Sequence, residues 1–269
     1  MDKTALGKIR LFLFDLDGTL YLGSRLFPFT RPLLSRLRET GRDYRFLTNN
    51  SSRSVADYVA KLRRLGIPAA PEDFVTSAQA TVQYLRETLP GAPLYVCGTA
   101  SLKAELSGAG FPVTEDPDAA AGIVMGYDTE LTYQKLWDVS RLLTQRPDIP
   151  YIATNPDLVC PTEFGFVPDC GSVCAMLQTA TGRRPLVIGK PEPRMPLLAI
   201  SRCGVPPEHC AVVGDRIYTD IKCGQNAGIP GILVLSGETT PELLAASPDK
   251  PDLVLRDAGE ILVAIERKG

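Results

Sequence analysis

The chain has 269 residues, of which 44% are hydrophobic and 22% charged, with a formal net charge of −2. That length suits two domains better than one, and either could bury a sizeable core. Both charge signs are mixed along the chain, so it carries no electrostatic footprint for nucleic acid or an anionic membrane surface.

The elements alternate from the start. After the basic segment Met1–Arg10, the apolar run ending Leu11-Phe12-Leu13-Phe14 reads as a buried parallel strand. Asp15 and Asp17 interrupt it at once, so it is read as neither signal peptide nor membrane span. Thr30–Thr40 carries Leu33, Leu34 and Leu37 at helical spacing and stops at Gly41. Tyr44–Leu47 is a second strand and Val55–Leu65 a helix. Strands then follow at Leu94–Cys97, Gly122–Gly126 and Tyr151–Thr154, with helices at Leu102–Leu106, Tyr133–Leu143 and Ser172–Thr181. The last third returns to strand–helix units: helix Met195–Cys203, strand Ala211–Val213, helix Asp220–Ala227, strand Gly231–Leu235 and a closing helix after Asp257. Such alternation predicts an α/β fold with a doubly wound parallel sheet.

Seven cysteines are scattered without a CxxC pair, and His209 is the single histidine. Cys160, Cys170 and Cys174 read as small apolar residues rather than metal ligands, and the thiols as reduced, in a cytoplasmic protein. His209 sits in Pro206-Pro207-Glu208, read as a surface turn. A lone histidine in such a turn argues against histidine triads and His-rich metal sites, and points the chemistry to carboxylates, lysine and hydroxyls.

Four motifs offer those groups. Asp15-Leu16-Asp17-Gly18-Thr19 follows an apolar strand, where ligands bind in open parallel sheets. Gly18 lets the backbone leave the pleat so that both acids face a crevice; the same run is also a common turn with self-capping side chains. Val213-Gly214-Asp215 repeats the pattern with Asp220 five residues on. An N-cap role would explain Thr219 or Asp220 but not Asp215. Four acids at two strand ends make a hard-oxygen site suited to Mg²⁺. Thr48-Asn49-Asn50-Ser51 places a hydroxyl and an amide at a strand end, as an oxyanion site or a helix cap. Lys190, held by Gly189 and Pro191, is either a solvated charge or the counter-charge to the carboxylates and a phosphate.

The order of these motifs (acid pair, Thr-Asn, Lys, Gly-Asp with a later Asp) resembles the haloacid dehalogenase superfamily along essentially the whole chain. The Asp15-to-Thr19 form looks like its phosphatase branch. The spacing, with Thr154-Asn155-Pro156-Asp157, resembles subfamily IIA, the NagD-like and p-nitrophenylphosphatase-like proteins with a large C2-type cap. The resemblance implies a Rossmann-like core over residues 1–79 and 184–269, with an α/β cap inserted at 80–183. It implies a Mg²⁺-dependent phosphomonoester hydrolase acting on a small phosphorylated metabolite such as a sugar phosphate or nucleoside monophosphate. By that resemblance Asp15 is the nucleophile and a metal ligand. Asp17 is general acid and base, with its carbonyl on the metal. Asp215 is a ligand, and Asp220 a ligand or an acceptor one layer out. Thr48, Asn49 and Lys190 hold the phosphoryl group, and Lys190 also balances charge on Asp15. The stretch Asn155–Gly171, with Asn155, Asp157 and Gly171, is read as the selectivity loop of the cap. Members of the group often pair through their caps, which leaves a monomer and a homodimer through the cap both open. A phosphomutase, or a non-catalytic binding protein on the same fold, is the competing reading.

Overall fold

A computed structural model describes residues 1–162 and 164–266. The chain divides into two compact units. The first comprises Met1–Thr48, Val59–Val75 and the chain from Lys190 onward; the second comprises Asn49–Tyr58 and Thr76–Gly189.

The main sheet has six strands, in the order Leu253–Leu255, Gly231–Val234, Cys210–Gly214, Leu11–Phe14, Asp43–Thr48 and Phe74–Thr76. Leu11–Phe14 pairs in parallel with Cys210–Gly214 on one side and with Asp43–Thr48 on the other. All four of its residues are fully buried, which is why the run is uninterruptedly apolar rather than alternating. The strands step outward in sequence from this centre in both directions, so the winding reverses beside Leu11–Phe14. That reversal is the switch point at which open α/β sheets bind ligands. Helix Thr30–Glu39 buries Leu33, Leu34 and Leu37 at the predicted spacing.

The second unit has its own four-stranded sheet, ordered Leu186–Val187, Tyr151–Ala153, Gly122–Met125 and Leu94–Cys97, with parallel pairings throughout. Val139, Leu142 and Leu143 of helix Tyr133–Gln145, and Cys174 and Leu177 of helix Cys170–Thr181, pack with Tyr95, Met125 and Tyr151 of this sheet. Doubly wound α/β architecture is thus the fold of the chain, as the alternation of elements predicts.

Several local expectations are corrected. Helix Ser77–Thr88, opened by a Thr76–Gln79 capping box, falls where no element is predicted. The stretch read as an irregular loop contains an antiparallel pair, Val159–Thr162 with Gly165–Pro168. The helix expected to open at Asp220 begins earlier, with a π-type turn over Ile217–Ile221 that runs into Lys222–Asn226. No disulfide joins any of the seven cysteines, and the sulfurs of Cys170 and Cys174 lie 4.0 Å apart, one turn from each other on a helix. Among the described residues, no helix is long and apolar enough to cross a membrane.

Candidate active site

The site of the first unit lies at the carboxyl ends of the two central strands. Asp15 directly follows Phe14, and its N–H donates to the Val213 carbonyl at 2.8 Å, extending the ladder by one residue. Gly18 then turns the chain with φ +83°, a conformation that penalises any Cβ. A side chain there would also strike the Asp215 carboxylate. Asp215 follows Gly214 at the end of the neighbouring strand.

Ligand oxygens of Asp15, Asp215 and Asp220 all lie within 4.8 Å of one another, the only such cluster of potential metal ligands among the described residues. Lys190 Nζ bridges two of them, at 2.5 Å from Asp15 Oδ1 and 2.6 Å from Asp220 Oδ1. The lysine is 3% exposed, so it is not a solvated surface charge. Asp220 also accepts from the Arg216 N–H at 3.1 Å. Its carboxylate therefore reaches back to the start of its own turn, as a helix-capping acid does, while the other oxygen meets Lys190.

Burial, and after it the crowding of negative charge, shows in the acidities. Burial pushes the Asp15 carboxyl up to about 8; Lys190 opposes this, while Asp220 and Asp215 add to it. Asp215 is pushed up to about 6, by burial first and by Asp220 next, against the Glu238 N–H that holds it down. Lys190 is driven above its ordinary range, the two carboxylates outweighing its own burial. One lysine thus offsets only part of the charge of three clustered acids, two of them buried and Asp15 half-buried.

Asp215 divides its oxygens between two tasks. Oδ2 accepts from the Glu238 N–H at 2.7 Å, whereas Oδ1 is buried without a hydrogen-bond partner. An orphaned oxygen on a buried member of a cluster of acids is the kind of polar atom that a bound ion satisfies. The donor set is all hard oxygen, so these residues fit Mg²⁺.

The other expected residues are placed as follows. Asp17 is half-buried and its Oδ1 accepts from the Gly23 N–H at 3.3 Å. Thr48 closes its strand, 7% exposed. The helix cap that might have occupied the Thr48–Ser51 motif is made instead by Ser54 and Asp57, each accepting from the other's N–H at 3.2 and 2.9 Å. Asn49 belongs to the second unit, where its amide donates to Asp157 at 3.2 and 3.3 Å and its carbonyl accepts from Asn155 and Ser77. Gly171 packs so closely on Pro156 that any Cβ would strike that backbone, and its N–H donates to the Asp157 carbonyl at 2.8 Å. Asn49, Asn155, Asp157 and Gly171 therefore form one connected group within that unit.

Two participants were not foreseen from sequence. The segment Ser236–Thr239, at the end of strand Gly231–Val234, wraps Asp215, and Arg216 pairs with Glu238 at 2.9 Å. Their only sequence signal is a polar Ser-Gly-Glu-Thr run after an apolar strand.

Residues 12–112 match the family profile described as haloacid dehalogenase-like hydrolase, and residues 187–261 match a second HAD-hydrolase-like profile. An acid sugar phosphatase of Staphylococcus aureus (strain MRSA252) is 34% identical over 258 residues, covering 96% of this chain and 98% of that protein. The chain belongs to the haloacid dehalogenase-like hydrolases. Among solved structures, a 4-nitrophenylphosphatase from Thermotoga maritima superposes with a TM-score of 0.92 at 41% identity, covering 97% of this chain and 99% of that one. A glycerol phosphate phosphatase from Mycobacterium tuberculosis, solved in complex with magnesium, is 33% identical with a TM-score of 0.88, covering 96% of this chain and 77% of its own. Within the family this hydrolase is a phosphatase of the NagD-like, p-nitrophenylphosphatase-like group.

Proposed function

We propose that this phosphatase is Mg²⁺-dependent and hydrolyses phosphomonoesters of small metabolites through a phospho-aspartate on Asp15. The observation that carries the reading is the cluster of Asp15, Asp215 and Asp220, with Asp15 bound to a buried lysine. Asp15, Asp215 and Asp220 would hold the cation, together with the Asp17 carbonyl. Bound Mg²⁺ supplies charge neutralisation between a carboxylate nucleophile and a phosphate dianion.

Asp15 attacks phosphorus as the bond to the leaving oxygen breaks, which divides one difficult displacement into two. Asp17 gives its proton to that oxygen and then removes one from the water that cleaves the acyl phosphate. Lys190 fixes the Asp15 rotamer and offsets charge on the reacting groups. Thr48 and Asn49 bind the transferring phosphoryl oxygens. The connected group Asn49, Asn155, Asp157 and Gly171 selects the substrate. The names of the relatives favour a sugar or polyol phosphate, and the Val159–Pro168 hairpin offers only Phe164 and Phe166 as aromatic platforms.

The test is phosphate release from p-nitrophenyl phosphate with Mg²⁺ or with chelator, comparing wild type with Asp15→Asn. Turnover requires Mg²⁺ and disappears in the variant, which keeps the volume of Asp15 but removes the nucleophile. Turnover that survives in Asp15→Asn overturns the assignment.

A further inference from the structure

Asp215 is held by a segment that lies outside every motif of the family resemblance. Three consecutive hydrogen bonds converge on it from Glu238 and Thr239. The Glu238 N–H donates to Oδ2 at 2.7 Å, and the Thr239 hydroxyl and N–H both donate to the Asp215 carbonyl, at 2.5 and 3.2 Å. A Cβ at Gly237 would collide with the same carboxylate, so the segment passes as close to Asp215 as a backbone can. Ser236 reaches the other side of the site, donating from Oγ to the Gly18 carbonyl at 2.7 Å. Glu238 is itself anchored by its side chain, paired with Arg216 Nε at 2.9 Å and accepting from the Tyr218 hydroxyl at 2.7 Å. The segment thus ties together the turn after Asp15 and the turn after Asp215.

We propose that Ser236–Thr239 is a positioning clamp that sets Mg²⁺ affinity: it commits one Asp215 oxygen to a backbone amide and leaves the other free for the cation. This rests on the Mg²⁺ reading given above. A carboxylate that rotates freely loses orientational entropy when it ligates, and groups one layer outside a metal typically contribute 10–100-fold to affinity. The clamp removes that rotation in advance. Ser236 and Thr239 touch neither the cation nor the substrate; they act through Gly18 and Asp215.

The experiment is calorimetric titration of the full chain with Mg²⁺, beside the Mg²⁺ dependence of p-nitrophenyl phosphate turnover. Thr239→Val keeps the shape but deletes the hydroxyl, and weakens Mg²⁺ binding about tenfold or more. Thr239→Ser restores the donor and stays within about twofold of wild type. In Thr239→Val the Mg²⁺ concentration for half-maximal turnover rises by the same factor as the dissociation constant, while kcat at saturating Mg²⁺ returns to the wild-type value. A merely structural role would lower kcat at every Mg²⁺ concentration, and that result overturns the proposal. Ser236→Ala, which removes one half-buried hydroxyl, shifts Mg²⁺ affinity in the same direction and decides the matter if Thr239→Val does not fold. If wild type binds Mg²⁺ and neither variant alters the affinity, the clamp is refuted while the metal site stands. If wild type binds no Mg²⁺, both fall.

Discussion

Replacing Lys190 with Met tests whether this lysine is the internal counter-charge of the site. Methionine fills similar space on an unbranched stem but leaves Asp15 and Asp220 without the cation now 2.5 and 2.6 Å away. The Asp220 side chain is 1% exposed and that of Asp15 16%, so water can relieve the second acid only slightly and the first hardly at all. Removing one partner of a buried ion pair costs about 3–5 kcal/mol, and that is the loss expected with chelator present. Mg²⁺ should recover part of it. The cation meets one fewer competing positive charge in the variant, and each tenfold gain in affinity adds about 1.4 kcal/mol of stabilisation at saturating metal. The assay is urea unfolding followed by far-ultraviolet circular dichroism, for both proteins, with chelator and with Mg²⁺. A loss below about 1 kcal/mol, typical of an exposed pair, would refute the argument. So would a loss of equal size with and without Mg²⁺.

Other perturbations probe separate parts of the molecule. Burial pushes the Glu105 carboxyl in helix Ala100–Gly108 up to about 7, so the folded chain holds a proton that the unfolded chain releases near pH 4.5. Stability from this group is complete below about pH 4.5 and lost as pH rises through 7. Glu105→Gln should therefore match wild type in thermal unfolding at pH 4 and exceed it by about 1–3 kcal/mol at pH 8; an equal difference at both would exclude Glu105 as the cause. Gly18→Ala combines a left-handed backbone with a collision against Asp215. It should weaken calorimetric Mg²⁺ binding at least tenfold, on the scale of a displaced supporting group. Gly171→Ala drives a methyl into the Pro156 backbone. It should destabilise by about 1–3 kcal/mol in urea unfolding and raise KM for a sugar phosphate more than it lowers kcat.

What the sequence disclosed depended on whether side chains or backbone carried the information. The acids at positions 15 and 215 were legible because an apolar run stops abruptly at each, and a doubly wound sheet places such stops at one edge. Lys190 was ambiguous: nothing in Gly-Lys-Pro distinguishes a solvated lysine from one 3% exposed. Ser236–Thr239 escaped notice because its partners lie 23 residues or more away along the chain and each bond has a backbone amide or carbonyl at one end, and a backbone group leaves no trace in residue identity. Helix Ser77–Thr88 was missed for a different reason. It buries Ser77, Ala78, Ala80 and Thr81 beside Val82 and Leu85, so its packed face is made largely of small residues that a hydrophobicity pattern passes over. The hairpin Val159–Pro168 contains Pro161, Gly165 and Pro168, residues that ordinarily end strands. Its exposed edge has no apolar alternation to mark it.

The pairing of Leu11–Phe14 with Cys210–Gly214 also bears on how an active molecule is made. Asp15 leaves the ribosome early, yet Lys190 is 175 residues distant in sequence, and the Ser236–Gly18 bond spans 218. Contacts of that separation are slow to form, because loop closure must precede any reward from packing. Asp15 is therefore synthesised long before the groups that charge-balance it. A nascent or prematurely terminated chain would carry Asp15 as an isolated acid, without lysine or partner acids. On the proposed mechanism, catalytic competence would arrive only when the last third of the chain adds its strands to the sheet, and hydrolytic activity itself would report completed folding.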